Sequence, residues 1–85
     1  MKIIKFSALW CPACLIMNNR INKIANKYNI EIIEYDYDID ENKKEEYNIN
    51  NILPVIILQK EGKEVKRLIG ELSENKLEQE ISDLL

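Results

Sequence analysis

The stretch that decides the fold is FSALWCPACLIMNN, residues 6–19, which contains both cysteines of the chain. From Cys11 onward, apolar side chains recur at the three- and four-residue spacing of one helix face, and polar side chains occupy the other face. The apolar positions are Cys14, Met17, Ile21, Ile24, Ala25 and Tyr28. The pattern predicts a helix over about residues 11–28 that ends at Asn29, with Cys11 in its first turn.

A strand is predicted on each side of this helix. The Ile-rich residues 2–6 predict a first strand that leads into the cysteine stretch. Over residues 32–40 apolar and acidic side chains alternate strictly, which predicts a strand with one wet face at the edge of a sheet. The charged residues 41–48 then predict a short helix of about two turns.

The second half of the chain predicts a hairpin followed by a helix. The near-continuous apolar run 54–59 predicts a strand covered on both faces, and a glycine turn at 60–63 leads into a second strand over 64–69. Ser73 is a good N-cap for a last helix, preceded by a hydrophobic staple. The staple pairs Leu72 with Leu77, and the apolar face holds Leu77, Ile81, Leu84 and Leu85.

The predicted order of elements is β-α-β-α-β-β-α, an α/β fold. Since a crossover between parallel strands is right-handed, the first two strands are parallel, and the hairpin adds an antiparallel pair. We therefore expect one domain over residues 1–85, with helices on both faces of a four-stranded mixed sheet. Ligand sites in such folds lie at the carboxyl ends of the parallel strands, which is where the cysteine helix begins.

Length, charge and apolar content exclude several classes of function. The chain has 85 residues and a net charge of -3, with 12 basic and 15 acidic residues interspersed along it. This leaves no basic patch for nucleic acid and no polybasic segment for a membrane surface. The chain starts without a signal-like apolar segment, and no apolar run has membrane-spanning length. We expect a cytoplasmic monomer that binds neither nucleic acid nor membrane.

The spacing of Cys11 and Cys14 is compatible with three chemistries: a structural disulfide, half of a metal site, or a redox pair. A reducing compartment disfavours the structural disulfide, and so short a loop restrains little of the unfolded chain. The chain has no His and no third Cys, so a metal or iron-sulfur centre needs two copies of the chain. A redox pair that needs no metal and no cofactor is therefore the favoured interpretation.

The helix start assigns different roles to the two thiols. Cys11 faces unpaired backbone amides and the positive end of the helix dipole, which stabilise a thiolate, whereas Cys14 lies deeper. Cys11 is thus the expected nucleophile on a substrate disulfide, and Cys14 the thiol that then releases the substrate. Pro12 suits the first helical position but has no amide hydrogen, so the donors to the Cys11 sulfur must be Ala13 and Cys14. Trp10 is predicted to be a partly exposed aromatic wall beside them.

Several segments together resemble the thioredoxin family over essentially the whole chain. They are, in order, FSALWCPAC, YDYDID, LPVIIL, EGKEV and IGELSENKL. The resemblance implies a thioredoxin-like protein-disulfide reductase that takes electrons from a thioredoxin reductase or from glutathione. It also implies that Pro54 is a cis-proline facing the cysteines. The substrate-binding residues that it implies are Trp10, Pro12, Ala13, Leu53, Pro54 and Gly70.

One departure from the family lies between the cysteines. Thioredoxins have Gly-Pro there, whereas this chain has Pro12-Ala13, and a proline directly after the nucleophile is the glutaredoxin arrangement. A glutaredoxin-like reductase that depends on glutathione is therefore the alternative. Against it, IGELSENKL lacks the glycine-plus-acidic motif with which glutaredoxins bind glutathione.

A second departure lies in the charges beneath the site. The buried aspartate that thioredoxins carry six residues before the first cysteine falls on Lys5, and their lysine on the neighbouring strand falls on Asp36. One hypothesis is that Lys5 and Asp36 pair beneath the site and lower the pKa of Cys14. The other is that Lys5 reaches out of the sheet to solvent and Asp36 lies on the wet edge.

Overall fold

The computed structural model describes residues 1–85 and contains the elements in the predicted order. They are β1 (Lys2–Ser7), α1 (Pro12–Tyr28), β2 (Glu31–Asp36), α2 (Glu41–Glu46), β3 (Val55–Lys60), β4 (Lys63–Ile69) and α3 (Glu74–Ser82). The strands form one mixed sheet in the order β2-β1-β3-β4. Only β1 and β2 are parallel, as a crossover through α1 requires, and β3 and β4 form the antiparallel hairpin.

Helix α1 begins and ends where the sequence predicts, and its caps explain both limits. Cys11 is the N-cap with an extended backbone, and Pro12 takes the first helical position, where no amide hydrogen is needed. Asn29 ends the helix in the left-handed conformation, with φ of 55°, which asparagine tolerates better than most residues. The start of α1 thereby lies next to the carboxyl end of β1.

The larger core lies between one face of the sheet and the helices α1 and α3. The apolar stripe of α1 packs there on inward-facing residues of β1, β3 and β4. The buried residues are Ile3, Met17, Ile21, Ile24, Ala25, Ile56, Leu58, Leu68, Leu77 and Ile81. Because this cluster joins three strands to both long helices, it holds the start of α1 in place relative to the sheet.

The opposite face of the sheet carries a smaller core of Ile4, Phe6, Val55 and Ile57. Helix α2 itself buries no residue, and the chain just after it supplies the cover. The ring of Tyr47 stands edge-on to that of Phe6 with centroids 5.7 Å apart. Strand β3 is therefore covered on both faces, as its apolar run predicts.

The strand predicted over 32–40 ends earlier, at Asp36. Asp36 Oδ1 accepts hydrogen bonds from the backbone amides of Asp38 (2.8 Å) and Ile39 (3.1 Å), which turns the chain out of the sheet. The alternation of apolar and acidic residues continues in the sequence through this turn, although the turn is not a strand. Ile39, one of the apolar residues in the pattern, is 77% exposed. The part of the prediction that holds is the position of β2 at the edge of the sheet.

The other boundaries differ from the predictions by a few residues. Helix α2 is shorter than the predicted 41–48, and the two hairpin strands begin within one residue of their predicted starts. Helix α3 is capped by Ser73 as predicted, with the Lys76 amide 3.2 Å from its Oγ, but it ends at Ser82. Leu85 therefore leaves the predicted apolar face and is 57% exposed. None of the helices combines the length and apolar character needed to cross a bilayer.

Candidate active site

Cys11 and Cys14 lie together at the first turn of α1, against the end of β1. Cys11 is 6% exposed and Cys14 is fully buried, and both are free thiols. The Cys14 backbone amide donates a hydrogen bond to Cys11 Sγ over 3.2 Å, so of the two amides that the sequence offers for this role the structure uses that of Cys14. Ala13 packs beside the cysteines and Pro12 is exposed next to them. No cluster of three potential metal ligands is present.

The Cys14 thiol is held in its protonated form by its surroundings. Burial raises the pKa of Cys14 to about 12, and the side-chain hydrogen bond with Cys11 contributes to the rise. The backbone amide of Ala8 and the positive charge of Lys5 act in the opposite direction, but they are weaker than the loss of solvation. Cys14 therefore stays a thiol at neutral pH and becomes a nucleophile only after it loses its proton.

Trp10 lies beside the cysteines with a side chain that is 60% exposed. Its Nε1 donates a hydrogen bond to Asp38 Oδ2 over 2.7 Å. Its ring stands edge-on to Tyr37, with centroids 6.1 Å apart, and Lys44 Nζ lies 3.8 Å from the centre of the Tyr37 ring. The turn after β2 thus fixes the orientation of the Trp10 indole while leaving most of its surface exposed.

Leu53, Pro54 and Gly70 come together from two loops on the side of the cysteines that faces β3. The Leu53-Pro54 peptide bond is cis, and Leu53 packs against the cluster that contains Cys11 and Cys14. The backbone amide of Gly70 donates to the Pro54 carbonyl over 2.8 Å. Gly70 has φ of 86°, a left-handed conformation that glycine adopts without strain. The structure therefore brings all of the predicted substrate-binding residues to one end of the sheet.

The predicted pairing of Lys5 with Asp36 is wrong. In the parallel register of β1 and β2, Lys5 lies opposite Glu34 and Asp36 lies opposite Ser7. Lys5 Nζ pairs with Glu34 Oε2 at 3.2 Å, whereas the Asp36 carboxylate accepts from the turn that ends β2. The alternative that Lys5 reaches solvent is also wrong, since Lys5 is 3% exposed.

Three contacts around the site have no counterpart in the sequence prediction. They are the Glu34 ion pair with Lys5, the Asp38 hydrogen bond with Trp10, and the anchoring of the loop after Gly70. In that loop, Arg20 Nη1 donates to Glu71 Oε2 (3.0 Å) and to the Leu72 carbonyl (2.5 Å). Each of the three contacts joins distant parts of the chain, so local sequence patterns do not predict them. The one relevant pattern is the alternation in β2, which places Glu34 on the polar face of that strand.

Comparison with known proteins decides the family. The family model described as Thioredoxin matches residues 1–83. The chain belongs to the thioredoxin family. Thioredoxin H2 of Arabidopsis thaliana is 32% identical over 96% of this chain and 61% of its own length. The thioredoxin of Mycobacterium tuberculosis is 29% identical over 98% of this chain and 72% of its own length.

The solved structures show the same thioredoxin fold. The X-ray structure of Fasciola hepatica thioredoxin is similar with a TM-score of 0.86 at 28% identity, over 96% of this chain and 78% of that chain. This chain spans about half to three fifths of the length of several curated thioredoxins that it matches. The shared part includes the sheet, α1 with its cysteines, and α3.

Proposed function

We propose that this thioredoxin-family protein is a thiol-disulfide oxidoreductase that reduces disulfides in other proteins. The observation that carries the proposal is the unequal pair of thiols at one helix start. Cys11 Sγ accepts the Cys14 amide at 3.2 Å, while Cys14 is fully buried behind it. This is the arrangement that a two-step exchange needs, because one sulfur must meet the substrate and the other must wait.

In the first step, the Cys11 thiolate attacks one sulfur of a substrate disulfide. A bond forms between Cys11 and that sulfur, and the second substrate sulfur leaves as a thiolate that takes a proton from water. The amide of Cys14 stays aimed at the Cys11 sulfur at the start of α1. The product of this step is a mixed disulfide between the protein and its substrate.

In the second step, Cys14 loses its proton and attacks Cys11. The Cys11-Cys14 bond forms, the bond to the substrate breaks, and the substrate leaves with its second thiol. Because burial raises the pKa of Cys14 to about 12, Cys14 attacks only after it has lost its proton. A dithiol donor then reduces the Cys11-Cys14 disulfide and completes the cycle.

Substrate recognition uses the surface that surrounds the cysteines. Trp10, Pro12 and Ala13 form one side of it, and Leu53, Pro54 and Gly70 form the other. Exposed apolar side chains extend this surface at Ile52 (60% exposed) and Ile69 (52% exposed). An extended peptide segment around a disulfide suits such a surface, since extended peptides bind through their backbone hydrogen bonds and through contacts of alternate side chains.

The partners of this cycle are protein disulfides on one side and an electron donor on the other. A thioredoxin reductase is the proposed donor, and a monomer in the cytoplasm is the proposed setting. Interspersed charges and the redox pair support this setting. Glutathione is the alternative donor, because Pro12 follows the nucleophile as it does in glutaredoxins.

The proposal is tested by turnover of a protein disulfide such as that of insulin. With dithiothreitol as donor, the wild-type chain is expected to accelerate reduction, and Cys11→Ser is expected to abolish the acceleration. Replacing dithiothreitol by a thioredoxin reductase with NADPH, or by glutathione with glutathione reductase, identifies the donor. No acceleration by the wild-type chain with any of the donors would overturn the proposal.

A further inference from the structure

A charged side chain, that of Lys5, lies buried in the sheet beneath the cysteines. Lys5 is 3% exposed, and its one ion-pair partner, Glu34, has a side chain that is 52% exposed. Removing an ammonium group from water is costly, and lysine is among the residues least often buried. A buried ammonium group at this place in the sheet points to a role in the chemistry above it.

The topology of the sheet directs Lys5 towards the start of α1. Its cross-strand partner on β3 is Ile56, which belongs to the core that α1 covers, as does Ile3 two residues earlier on β1. Met17 of α1 packs in that same core. Since α1 runs back along β1, the turn of α1 before Met17, which carries Cys14, lies closer than Met17 to the carboxyl end of β1, on the face of the sheet towards which Lys5 points.

We propose that the Lys5 ammonium, held in place by Glu34, is the countercharge that stabilises the Cys14 thiolate when Cys14 resolves the mixed disulfide. The proposal rests on the oxidoreductase function given above. Lys5 touches neither substrate nor the reacting sulfurs in this role and acts through its charge on Cys14, so it is a positioning residue. The attraction between Lys5 and the thiolate also lowers the pKa of Cys14.

Glu34 does not cancel this attraction, because the two charges have different surroundings. Glu34 lines a surface cleft of about 330 Å³ together with Ser7 and Asn18. Ser7 Oγ lies 3.3 Å from its Oε2. Water in the cleft screens the carboxylate, whereas the buried ammonium acts on Cys14 through a medium of lower polarity. The groups that face Cys14 with charge are therefore Lys5 and, when it is ionised, Cys11.

The step balances without any change at Lys5. Cys14 gives its proton to solvent, its sulfur forms the bond to Cys11, and the substrate sulfur leaves with the electron pair of the broken bond. Because Cys14 is uncharged both as the resting thiol and in the disulfide, Lys5 affects the rate of resolution more than the equilibrium between dithiol and disulfide.

The experiment uses an aromatic disulfide, 5,5′-dithiobis(2-nitrobenzoate), whose thiol product is coloured. The reduced wild-type chain is expected to release that product in two phases, the first from attack by Cys11 and the second from resolution by Cys14. Lys5→Met is expected to reduce the fraction of Cys14 that is a thiolate and so to slow the second phase. A more basic thiolate is also a better nucleophile, so each tenfold loss of thiolate slows the phase only about threefold to fourfold. Lys5→Arg, which keeps the charge, should restore the rate. Lys2→Met, at the other end of β1, is the control.

A second measurement does not depend on how well arginine fits. In a Cys11→Ser background, Cys14 is the only thiol, and its titration is followed by thiolate absorbance. Adding Lys5→Met is expected to move this titration to higher pH. The equilibrium constant of the wild-type dithiol with glutathione should change by less than about twofold in Lys5→Met.

The outcomes separate this inference from the function on which it rests. If the wild-type chain shows both phases and Lys5→Met resolves as fast as wild type, the role of Lys5 is refuted and the oxidoreductase function stands. An unmoved Cys14 titration in the Cys11→Ser background has the same meaning. If the wild-type chain releases only one equivalent of the coloured thiol, Cys14 does not resolve the mixed disulfide, and both the function and the role of Lys5 fail together.

Discussion

Breaking the Lys5–Glu34 ion pair from its two sides should change stability in opposite directions. Glu34→Gln keeps an acceptor for Ser7 but leaves the Lys5 ammonium, whose side chain is 4% exposed, without a countercharge. Lys5→Met removes the buried charge and fills its place with an unbranched apolar side chain. Glu34, with its side chain 52% exposed, then returns to water at little cost.

The magnitudes follow from the burial of each partner. Removing one partner of a fully buried pair costs about 3–5 kcal/mol, and an exposed pair contributes about 1 kcal/mol or less. Because this pair is buried on one side only, we expect Glu34→Gln to lower the free energy of unfolding by about 2 kcal/mol. Lys5→Met should leave it unchanged or raise it by up to about 2 kcal/mol, as apolar replacements of buried ions do.

Urea unfolding of the reduced proteins at neutral pH measures both effects. The double variant, Lys5→Met with Glu34→Gln, is the control and should match Lys5→Met alone, since Glu34 is then solvated in either form. For a domain of this size, about 1 kcal/mol corresponds to roughly 4–8 °C in Tm. A loss of stability in Lys5→Met that exceeds the loss in Glu34→Gln would refute the reasoning, because Lys5 would then contribute net stability.

Three further predictions concern the walls of the site and its pH dependence. Arg20→Met should raise KM for a protein disulfide and leave kcat nearly unchanged, because Arg20 anchors the loop that follows Gly70. The control is Lys23→Met, which removes an exposed ion pair with Glu74 and should change neither KM nor kcat. Trp10→Phe removes the hydrogen bond to Asp38 and should lower stability by about 0.5–1 kcal/mol in urea unfolding, while Asp38→Asn should lower it less. Since the pKa of the Cys14 thiol rises from 9.0 to about 12 on folding, the folded state keeps a proton that the unfolded chain releases. The reduced protein should therefore lose stability between about pH 9 and pH 12, and Cys14→Ala should lack this part of the loss.

The elements that could be predicted from the sequence are those that local chemistry determines. Helix α1 is marked by its apolar spacing, by Pro12 at its first position and by Asn29 at its end, all of which lie within the helix or next to it. For residues far apart in the chain, the predicted order of strands and helices indicates which of them lie close together. Pro54 and Gly70 meet across a hydrogen bond of 2.8 Å because β3 and β4 form a hairpin, which the glycine turn at 60–63 predicts.

The predictions that failed depend on register and on turns that imitate a strand. Lys5 pairs with Glu34 and not with Asp36 because of a two-residue difference in register, which the alternating pattern of β2 does not determine. The same alternation continues past Asp36, where its carboxylate turns the chain by accepting from the amides of Asp38 and Ile39. No local pattern indicates the role of Arg20, because its partners lie 51 and 52 residues away.

The central claim is that Cys11 attacks the substrate and Cys14 resolves the intermediate. It is tested most directly by mass spectrometry of Cys14→Ser and Cys11→Ser after each has been mixed with a disulfide-containing protein. The account predicts that Cys14→Ser accumulates a mixed disulfide through Cys11, and that Cys11→Ser, whose remaining thiol is fully buried, accumulates none. A mixed disulfide formed through Cys14 in Cys11→Ser as fast as through Cys11 in Cys14→Ser would contradict it.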